Sequence, residues 1–583
     1  MLSILLSALL LVSSPPKDDW RTPYEKGNGN TTATYAECIA YYKKLDAAYP
    51  EIQLREAGTT DSGEPLHEVV VALDRQFEPR PATGRTRPVV LIQNGIHPGE
   101  PEGIDASMAL VRDYVQKKEL RRQLENLTLV VIPIYNVDGA LNRNSTTRVN
   151  QDGPESYGFR GNARNLDLNR DYVKQDSRNA CSFANLVRRW QPDMFVDTHT
   201  SNGADYQYFM TIIATQKDKL APALSEYMTQ RLLPALNTGM DKRKSPLTPY
   251  VDFEGRTPDA RGLVGFLETP RYSTGYTTLF NTIGLVTETH MLKAYATRVQ
   301  VTYDFLDVLL RFVHTDAAAL TQARTQAAQK LNQQQAFPLA WKLDTTAAEK
   351  VNFRGYTGRT KPSEVSGQPR LYYDRKAPFT RPINYYNTFR PTVTVTRPQA
   401  YLIPQAWGEV LDRLRTAGVP LQRLTRDTTL TAEVYYIDDY KTSSRPYEGH
   451  YLHNSVTVRP TQQALPYHRG DYVAYLNNGT ARFLIETLEP QATDSYFAWG
   501  FFDSVLQQKE HFSDYVFEDV AADLLRQDPA LRTQLEKQKQ QDPVLAKSGA
   551  AQLEWVYRHS KYYESTHLRY PVARWQGGAL PVK

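Results

Sequence analysis

The sequence predicts an α/β fold for its first half, on two observations. Short apolar stretches that suit buried strands, such as residues 89–93 and 127–134, alternate with longer stretches whose apolar residues recur at helical spacing, such as 35–49. Strands that alternate with helices in this way are typical of a sheet covered on both faces. The second half differs: Gly, Pro, Arg and Tyr become frequent, and residues 392–396 alternate with the period of a strand.

The elements of the first half follow in chain order. Strands are predicted at residues 66–73, 89–93, 127–134, 194–196, 262–267 and 284–287. Helices are predicted at residues 35–49, 106–117, 177–190, 220–233 and 292–331. The fourth of these helices should end before Pro234, because proline disfavours helical backbone in the residue that precedes it.

The length of 583 residues exceeds what one ordinary core supports, so the sequence predicts two or more domains. We predict an α/β domain over residues 17–336. A β-rich accessory domain should follow over residues 337–583, with a helix at 407–417 and a helical tail near 512–540. The sequence contains no evident internal repeat.

Composition and charge describe a globular protein. The charged fraction is 23%, the hydrophobic fraction is 41%, and a net charge of +5 is spread along the chain without a dense Lys/Arg run. We therefore predict no nucleic-acid partner. The apolar start, residues 1–14, is too short to span a bilayer and predicts a signal peptide over residues 1–16, although an apolar tail is the alternative. No later stretch resembles a stable membrane span. The predicted signal peptide therefore indicates a secreted or periplasmic protein.

The two cysteines leave two interpretations open. Cys38 and Cys181 can form a disulfide in an oxidising compartment, or they can be two buried, inert thiols. Neither has the CxxC spacing of a metal or redox site.

Polar side chains stand where the predicted strands end. His97 and Glu100 follow the strand at 89–93, Asn136 follows the strand at 127–134, His199 follows the strand at 194–196, and Glu288 follows the strand at 284–287. Ligands of open α/β sheets bind outside the carboxyl ends of the strands, so these side chains should share one site.

The residue types at these strand ends suit catalytic zinc. His97, Glu100 and His199 give a His/Glu/His set for one zinc ion per chain, with the fourth position left for water. Asp197 or Asn136 can hold the outer nitrogens of the histidines.

A carboxylate that closes a buried strand is a candidate general base. Burial should raise the pKa of Glu288 towards neutrality, as a base that works near pH 7 requires. Glu268 is the rival by the same logic. The loop of residues 160–170 is rich in Arg, Asn and Gly, and its guanidinium groups suit the capture of a carboxylate or an oxyanion.

Taken together, these motifs resemble the zinc carboxypeptidases of the carboxypeptidase A type. The matching motifs are the turn at 97–100 (HPGE), the turn at 136–139 (NVDG), residues 167–170 (DLNR), residues 197–199 (DTH) and the strand that ends at Glu288. Their order agrees over about residues 31–310. The run at 197–205 (DTHTSNGAD) is most similar to large secreted bacterial members of the family. The resemblance implies a mixed central sheet flanked by helices.

The resemblance also implies roles for individual residues. It implies zinc on His97, Glu100 and His199, and Glu288 as the group that activates water. Asn169 and Arg170 would grip the terminal carboxylate of a peptide or protein substrate. Two further roles have competing candidates. The arginine that polarises the scissile carbonyl can be Arg160, Arg164 or Arg148, and the mobile tyrosine of the family can be Tyr272 or Tyr276.

We therefore expect a zinc metallocarboxypeptidase that releases C-terminal residues. One alternative is an amidase or endopeptidase that acts on cell-wall peptides, because Asp171 and Asp205 would favour a substrate amino group near the pocket. A second alternative is a non-catalytic peptide-binding protein.

Overall fold

A computed structural model of the chain describes residues 19–79, 81, 84–251 and 262–583. The predicted signal peptide at residues 1–16 lies outside these ranges. Within them, no helix combines the length and the apolar character that a bilayer crossing requires. Both cysteines are free thiols: Cys38 is buried and Cys181 is partly exposed.

The first half is built on one mixed sheet of seven strands. Its chain-ordered strands are β1 (Ile52–Thr59), β2 (Pro65–Val71), β3 (Val89–Gln93), β4 (Thr128–Ile132), β5 (Met194–Ser201), β6 (Met210–Ala214), β7 (Leu263–Val264) and β8 (Ile283–His290). All except β7 join this sheet, in the order β1-β2-β4-β3-β5-β8-β6. The four central strands β4, β3, β5 and β8 run parallel, so their carboxyl ends meet at one edge.

Helices cover this sheet. In chain order they are α1 (Pro23–Lys26), α2 (Tyr35–Ala48), α3 (Glu102–Gln116), α4 (Lys118–Arg121), α5 (Val137–Leu141), α6 (Arg178–Trp190), α7 (Pro222–Tyr227), α8 (Leu233–Lys242), α9 (Ser273–Thr278) and α10 (Tyr295–Gln333). The strands β3 and β4 are buried on both faces, which explains their continuous apolar sequences. The expected α/β class with a mixed sheet and flanking helices is confirmed.

The predicted helix end before Pro234 is wrong. A one-turn π-helical segment, Met228–Leu232, connects α7 to α8, and Pro234 lies in the first turn of α8. Proline is tolerated in a first helical turn because its missing N–H would have no helical partner there.

The second half is rich in strands. They are β9 (Ala336–Leu343), β10 (Glu349–Pro362), β11 (Pro369–Tyr386), β12 (Phe389–Thr396), β13 (Ala400–Ile403), β14 (Leu421–Arg423), β15 (Thr428–Thr442), β16 (His453–Tyr467), β17 (Tyr472–Tyr475) and β18 (Ala573–Trp575). Its helices are α11 (Gly408–Thr416), α12 (Ala481–Leu488), α13 (Asp514–Gln527), α14 (Pro529–Gln541), α15 (Pro543–Lys547) and α16 (Gly549–Arg558). The helical tail therefore extends past the expected end at residue 540.

The two halves share a hydrophobic core. Alternate residues of β3 face opposite sides of the sheet: Val90 and Ile92 pack towards α3 and α10, whereas Leu91 belongs to a cluster with α6. That second cluster also contains Tyr401 and Phe483 from the second half. The second half therefore packs on the side of the seven-stranded sheet that carries α6. The boundary at residue 337 stays a prediction.

Candidate metal and catalytic site

Three donor groups converge at the carboxyl edge of the sheet. His97 and Glu100 lie in the turn after β3, where the Glu100 N–H donates to the His97 carbonyl at 2.8 Å, and His199 lies on β5. Gly95 enters this turn with φ of +64°, a left-handed conformation that glycine adopts without strain. The ligand atoms of His97, Glu100 and His199 all lie within 4.8 Å of one another.

Both imidazoles turn Nδ1 towards Glu100, and each has a second carboxylate beside its Nε2. Nδ1 of His97 and Nδ1 of His199 lie 3.3 and 3.1 Å from the two oxygens of Glu100. On the outer side, Nε2 of His97 lies 2.9 Å from Asp167 Oδ1, and Nε2 of His199 lies 3.1 Å from Asp197 Oδ2. Such outer carboxylates orient ligating imidazoles and raise their basicity. This arrangement of two nitrogens and one carboxylate fits zinc.

The outer partner of His97 was not expected from sequence. Asn136 is a candidate for such a role from its place in the sequence, but its side-chain oxygen accepts from the Gly139 N–H at 2.9 Å and so caps α5. Asp167 fills the position instead, although it is 70 residues from His97 in the chain. The only available signal was its place in the motif DLNR at 167–170.

The ionisation of the donor groups depends on their burial and on their neighbours. Burial opposes the charge on Glu100, but Arg148 and His97 outweigh it and hold the pKa of this carboxyl well below its usual range. Burial also opposes protonation of His199. Its contacts with Asp197 and Glu100 outweigh that cost and raise the pKa of His199 well above its usual value.

Glu288 stands beside the three donors. In the parallel pairing of β5 and β8 it is the register partner of His199, and its side chain lines the same cavity. Burial raises the pKa of Glu288 to about 8; His199 opposes the rise, and the Glu100 and Asp197 carboxylates add to it. A carboxylate with a raised pKa at this place can exchange a proton near neutral pH.

The rival carboxylate, Glu268, lies elsewhere. Its side chain is fully buried and accepts from the Gln216 N–H at 2.6 Å, and it does not line the cavity. Burial raises the pKa of Glu268 to about 7. Its raised pKa is therefore that of a structural group in the interior.

The three candidate arginines occupy different positions relative to the metal donors and the cavity. Arg160 donates to His97 Nδ1 at 3.2 Å and lies 3.7 Å from Glu100 Oε1, while Asp167 holds its Nε and Nη2 at 3.0 and 2.8 Å. Its side chain keeps 44% of its surface exposed and lines the cavity. Arg160 can therefore reach a group that binds beside the metal donors.

The other two arginines are engaged differently. Arg148 also lines the cavity, but it pairs with Glu100 Oε1 at 2.9 Å and donates to the Thr200 carbonyl at 3.3 Å. Arg164 donates to the Asp176 carbonyl at 2.6 Å and does not line the cavity. The expectation that Arg164 is catalytic is corrected, because its guanidinium is directed to the backbone of a neighbouring loop.

The predicted carboxylate anchor lies on a short 3-10 turn, Leu168–Arg170. Asp167 caps this turn by accepting from the Asn169 N–H at 2.9 Å, so the same carboxylate serves the turn, His97 and Arg160. Asn169 and Arg170 both line the cavity. The structure thus brings the anchor candidates to the metal donors.

The two tyrosine candidates also separate. Tyr272 lines the cavity, and the Arg170 guanidinium lies 4.7 Å from the centre of its ring. Tyr276 is fully buried among aromatic rings that include Tyr172 and Phe483, and it does not line the cavity. The expectation that Tyr276 binds substrate is corrected, because it belongs to the hydrophobic core.

The cavity has a volume of about 480 Å³. Beyond the donors, its lining includes a neutral, largely apolar part formed by Ile213, Tyr250, Phe266 and Val286. This volume suits a ligand the size of an amino-acid residue with part of its neighbour.

Two acidic residues that we expected near the pocket are not in its lining. Asp171 is fully buried and pairs with Lys174 at 2.8 Å. Asp205 is buried and pairs with Arg375 at 2.6 Å. Neither carboxylate is placed to receive a substrate amino group, so the reason for expecting an amine-bearing substrate is removed.

The chain is similar to several known proteins. Residues 38–216 match the sequence profile of the zinc carboxypeptidase family. The chain is 22% identical to carboxypeptidase 2 of Trichophyton tonsurans over 450 residues, which is 72% of this chain and 75% of that protein. It is 21% identical to carboxypeptidase 2 of Trichophyton rubrum, over 79% of this chain and 82% of that protein. A metallo-carboxypeptidase structure from Burkholderia cenocepacia aligns with a TM-score of 0.37 and 16% identity, over 49% of this chain and 70% of that chain.

Fold, donor set and neighbouring carboxylate define a zinc-dependent hydrolase. Residues 38–216 match a zinc carboxypeptidase domain, and the resemblance drawn from the motifs of the chain is confirmed. It is accordingly a zinc metallocarboxypeptidase, an enzyme that hydrolyses peptide bonds.

Proposed function

We propose that the protein removes residues from the C-termini of peptides, with His97, Glu100 and His199 as the zinc ligands. The observation that carries this proposal is the shared cavity. The three donors, Glu288 and Arg170 all line one space of about 480 Å³. A metal site, a base and an anion anchor in one cavity are the parts that C-terminal hydrolysis requires.

The chain's own residues would divide the work as follows. Arg170 and Asn169 bind the terminal carboxylate of the substrate and so set which peptide bond lies beside the donors. Glu288 takes a proton from water and passes it to the leaving amine. Arg160 stabilises the negative charge that develops on the carbonyl oxygen. Zinc, when bound, acts as a Lewis acid towards the carbonyl and towards water.

We also propose a preference for neutral, apolar C-terminal side chains. Among the residues that the structure describes, Ile213, Phe266 and Val286 line this part of the cavity without a charged group among them, and Tyr250 adds a ring. Burial of an apolar side chain there is favourable by roughly 1.5 to 3 kcal/mol. A charged side chain would lose its hydration there without gaining a partner from these four residues.

Export from the cytoplasm is a further part of the proposal. It is supported by the apolar run of residues 1–14. The N-terminus of protein recovered from the growth medium or the periplasm should begin after this run. An intact N-terminus on protein confined to the cytoplasm would contradict export.

The test compares matched peptides with free and amidated C-termini. The free acid should be shortened from its C-terminus, and Arg170→Ala should raise its KM by at least tenfold. Mass spectrometry of the products identifies the bond that is cut. Equal rates on both peptides, or internal cuts, would remove the anchor from the mechanism and favour the endopeptidase or amidase alternative.

A further inference from the structure

A hairpin from the second half reaches the catalytic half. It is the connection between β15 and β16, and we call its turn, Tyr447–His450, the hairpin tip. The Tyr447 N–H donates to the His450 carbonyl at 2.8 Å, and the His450 N–H donates to the Tyr447 carbonyl at 3.1 Å. Glu448 and Gly449 have φ of +49° and +82°. Two central residues with positive φ are typical of a tight two-residue hairpin turn, so the tip has a defined shape.

The hairpin tip touches both ends of the segment that carries the anchor. The Tyr447 hydroxyl accepts from Arg170 Nε at 2.9 Å. A carboxylate oxygen of Glu448 accepts from the Asp167 N–H at 2.8 Å. Because Asp167 also holds His97 and Arg160, these two contacts reach the centre of the proposed mechanism.

Tyr447 supports Arg170 from outside the cavity. Arg170 lines the cavity, whereas Tyr447 does not. The Arg170 guanidinium is further fixed by a 2.7 Å bond from Nη1 to the Asn169 carbonyl and by the Tyr272 ring at 4.7 Å. A guanidinium that is already oriented loses less conformational entropy when it binds a carboxylate.

The hairpin tip is itself held firmly. The Tyr447 ring stacks on Trp499, with centroids 6.3 Å apart and planes inclined by 22°. Trp499 is fully buried. At the other end of the tip, His450 Nε2 lies 2.6 Å from Asp176 Oδ2 in the catalytic half. Because the hairpin tip is held in this way, the Tyr447 hydroxyl has a fixed position from which it can orient Arg170.

We propose that the second half completes the substrate site of this enzyme, with Tyr447 and Glu448 as positioning residues for the carboxylate anchor. This inference rests on the proposed role of Arg170. Neither residue takes part in proton transfer or contacts the zinc donors. Their function is to keep the segment from Asp167 to Arg170 in the geometry that receives a free C-terminus.

The direct test is Tyr447→Phe in the full-length, zinc-loaded enzyme. This change removes one oxygen and keeps the ring on Trp499. KM for a free-acid peptide should rise roughly tenfold, because a hydrogen bond to a charged group is lost, while kcat stays within about twofold. The matched control is Tyr451→Phe, which removes the same atom from a neighbouring side chain that is 53% exposed and should change neither constant.

A binding measurement separates positioning from general loosening of the structure. N-acetyl-phenylalanine and its amide, which differ in the terminal carboxylate, are the probes, and each is measured as a competitor of a peptide substrate. Tyr447→Phe should weaken inhibition by the acid roughly tenfold and leave inhibition by the amide unchanged. Equal losses for both inhibitors would indicate a merely structural role and would overturn the inference.

Glu448 offers a rescue test. Glu448→Ala removes the acceptor for the Asp167 N–H and should reproduce the rise in KM. Glu448→Gln retains an amide oxygen that can accept the same bond, so it should restore KM to within about twofold of the parent. A Gln variant as impaired as the Ala variant would contradict the positioning role.

Arg170→Ala distinguishes failure of this inference from failure of the proposed function. If Arg170→Ala leaves the preference for the acid inhibitor intact, Arg170 is not the anchor and both proposals fail. If Arg170→Ala abolishes that preference while Tyr447→Phe does not change it, only the inference fails. In the Arg170→Ala background, Tyr447→Phe should have no further effect, because the two residues act through one contact.

Discussion

His199 and Glu288 occupy the same rung of two adjacent parallel strands, β5 and β8. Side chains on one rung of a sheet point to the same face, so this pairing sets the proposed base beside a metal donor without a loop between them. Elements of regular structure hold catalytic groups more rigidly than loops do. The register of β5 and β8 therefore determines the geometry of proton transfer.

Glu288→Gln should separate catalysis from metal binding. The amide cannot accept the proton of water, so we expect kcat to fall by roughly 10² to 10⁴. Zinc content, measured by elemental analysis, should stay at one per chain, because Glu288 is outside the three-donor cluster. The matched control is Glu268→Gln, which replaces a buried carboxyl away from the cavity and should keep its activity. Full activity in Glu288→Gln would exclude Glu288 as the base.

Arg160 and Arg164 form a second matched pair, four residues apart in one loop. Arg160→Ala should lower kcat by roughly 10² to 10³ with little change in KM, because oxyanion stabilisation acts in the transition state. Arg164→Ala should stay within about twofold, since its guanidinium donates to the Asp176 carbonyl outside the cavity. Steady-state kinetics of the two variants on one peptide substrate measure these changes in kcat and KM. The reverse pattern would assign the oxyanion role to Arg164.

Asp167→Asn should weaken zinc binding through His97. The asparagine keeps an oxygen near Nε2 but loses the charge that makes the imidazole more basic, so the Kd for zinc should rise roughly 10- to 100-fold. Competition with a metal-sensitive dye measures this without reference to activity. Asp412→Asn, at an exposed helical position, is the control and should leave the Kd unchanged. An unaltered Kd in Asp167→Asn would show that Asp167 does not strengthen zinc binding through His97.

Zinc binding to the metal-free protein should release protons at pH 7. Glu288 has a pKa of about 8 and His199 a pKa well above its usual value, so both carry a proton at that pH. A bound cation favours the carboxylate of Glu288, and a ligating imidazole must be neutral, so roughly two protons should leave. Zinc affinity should accordingly fall as the pH is lowered.

Titration calorimetry in buffers of different protonation enthalpy counts these protons. In Glu288→Gln the number should fall by about one, because only His199 still loses a proton. An equal count in both proteins would mean that Glu288 is already ionised before zinc binds.

Sequence reasoning predicted the three candidate metal donors that the structure brings together, because His97 and Glu100 follow the apolar strand β3 and His199 lies just beyond the apolar start of β5. The parallel order of β4, β3, β5 and β8 then brings those strand ends together. The same reasoning could not separate Arg160 from Arg164, because both lie in an irregular loop whose side-chain directions have no period. It also had no means of finding Tyr447, because contacts between distant loops leave no local pattern.

Tyr276 shows a different limit. Its neighbours in the sequence resemble those of Tyr272, yet one ring lines the cavity and the other is buried in the core. Tyr272 directly precedes the short helix α9, whereas Tyr276 lies within this helix and its ring contacts Phe483 of the second half. The strand β6 was also missed, because it lies at the edge of the sheet and its last three residues are only partly buried, so it lacks the continuous apolar run of β3 and β4.

The contact between Arg170 and Tyr447 joins residues 277 positions apart. At about 5 to 20 residues per second, Tyr447 is synthesised roughly 15 to 55 s after Arg170. All three zinc donors and Glu288 precede Tyr447 in the chain. A newly made chain therefore contains its proposed metal ligands and base well before it contains Tyr447, the residue that positions Arg170. Full affinity for free C-termini would then arise late in biosynthesis, when most of the polypeptide has been made.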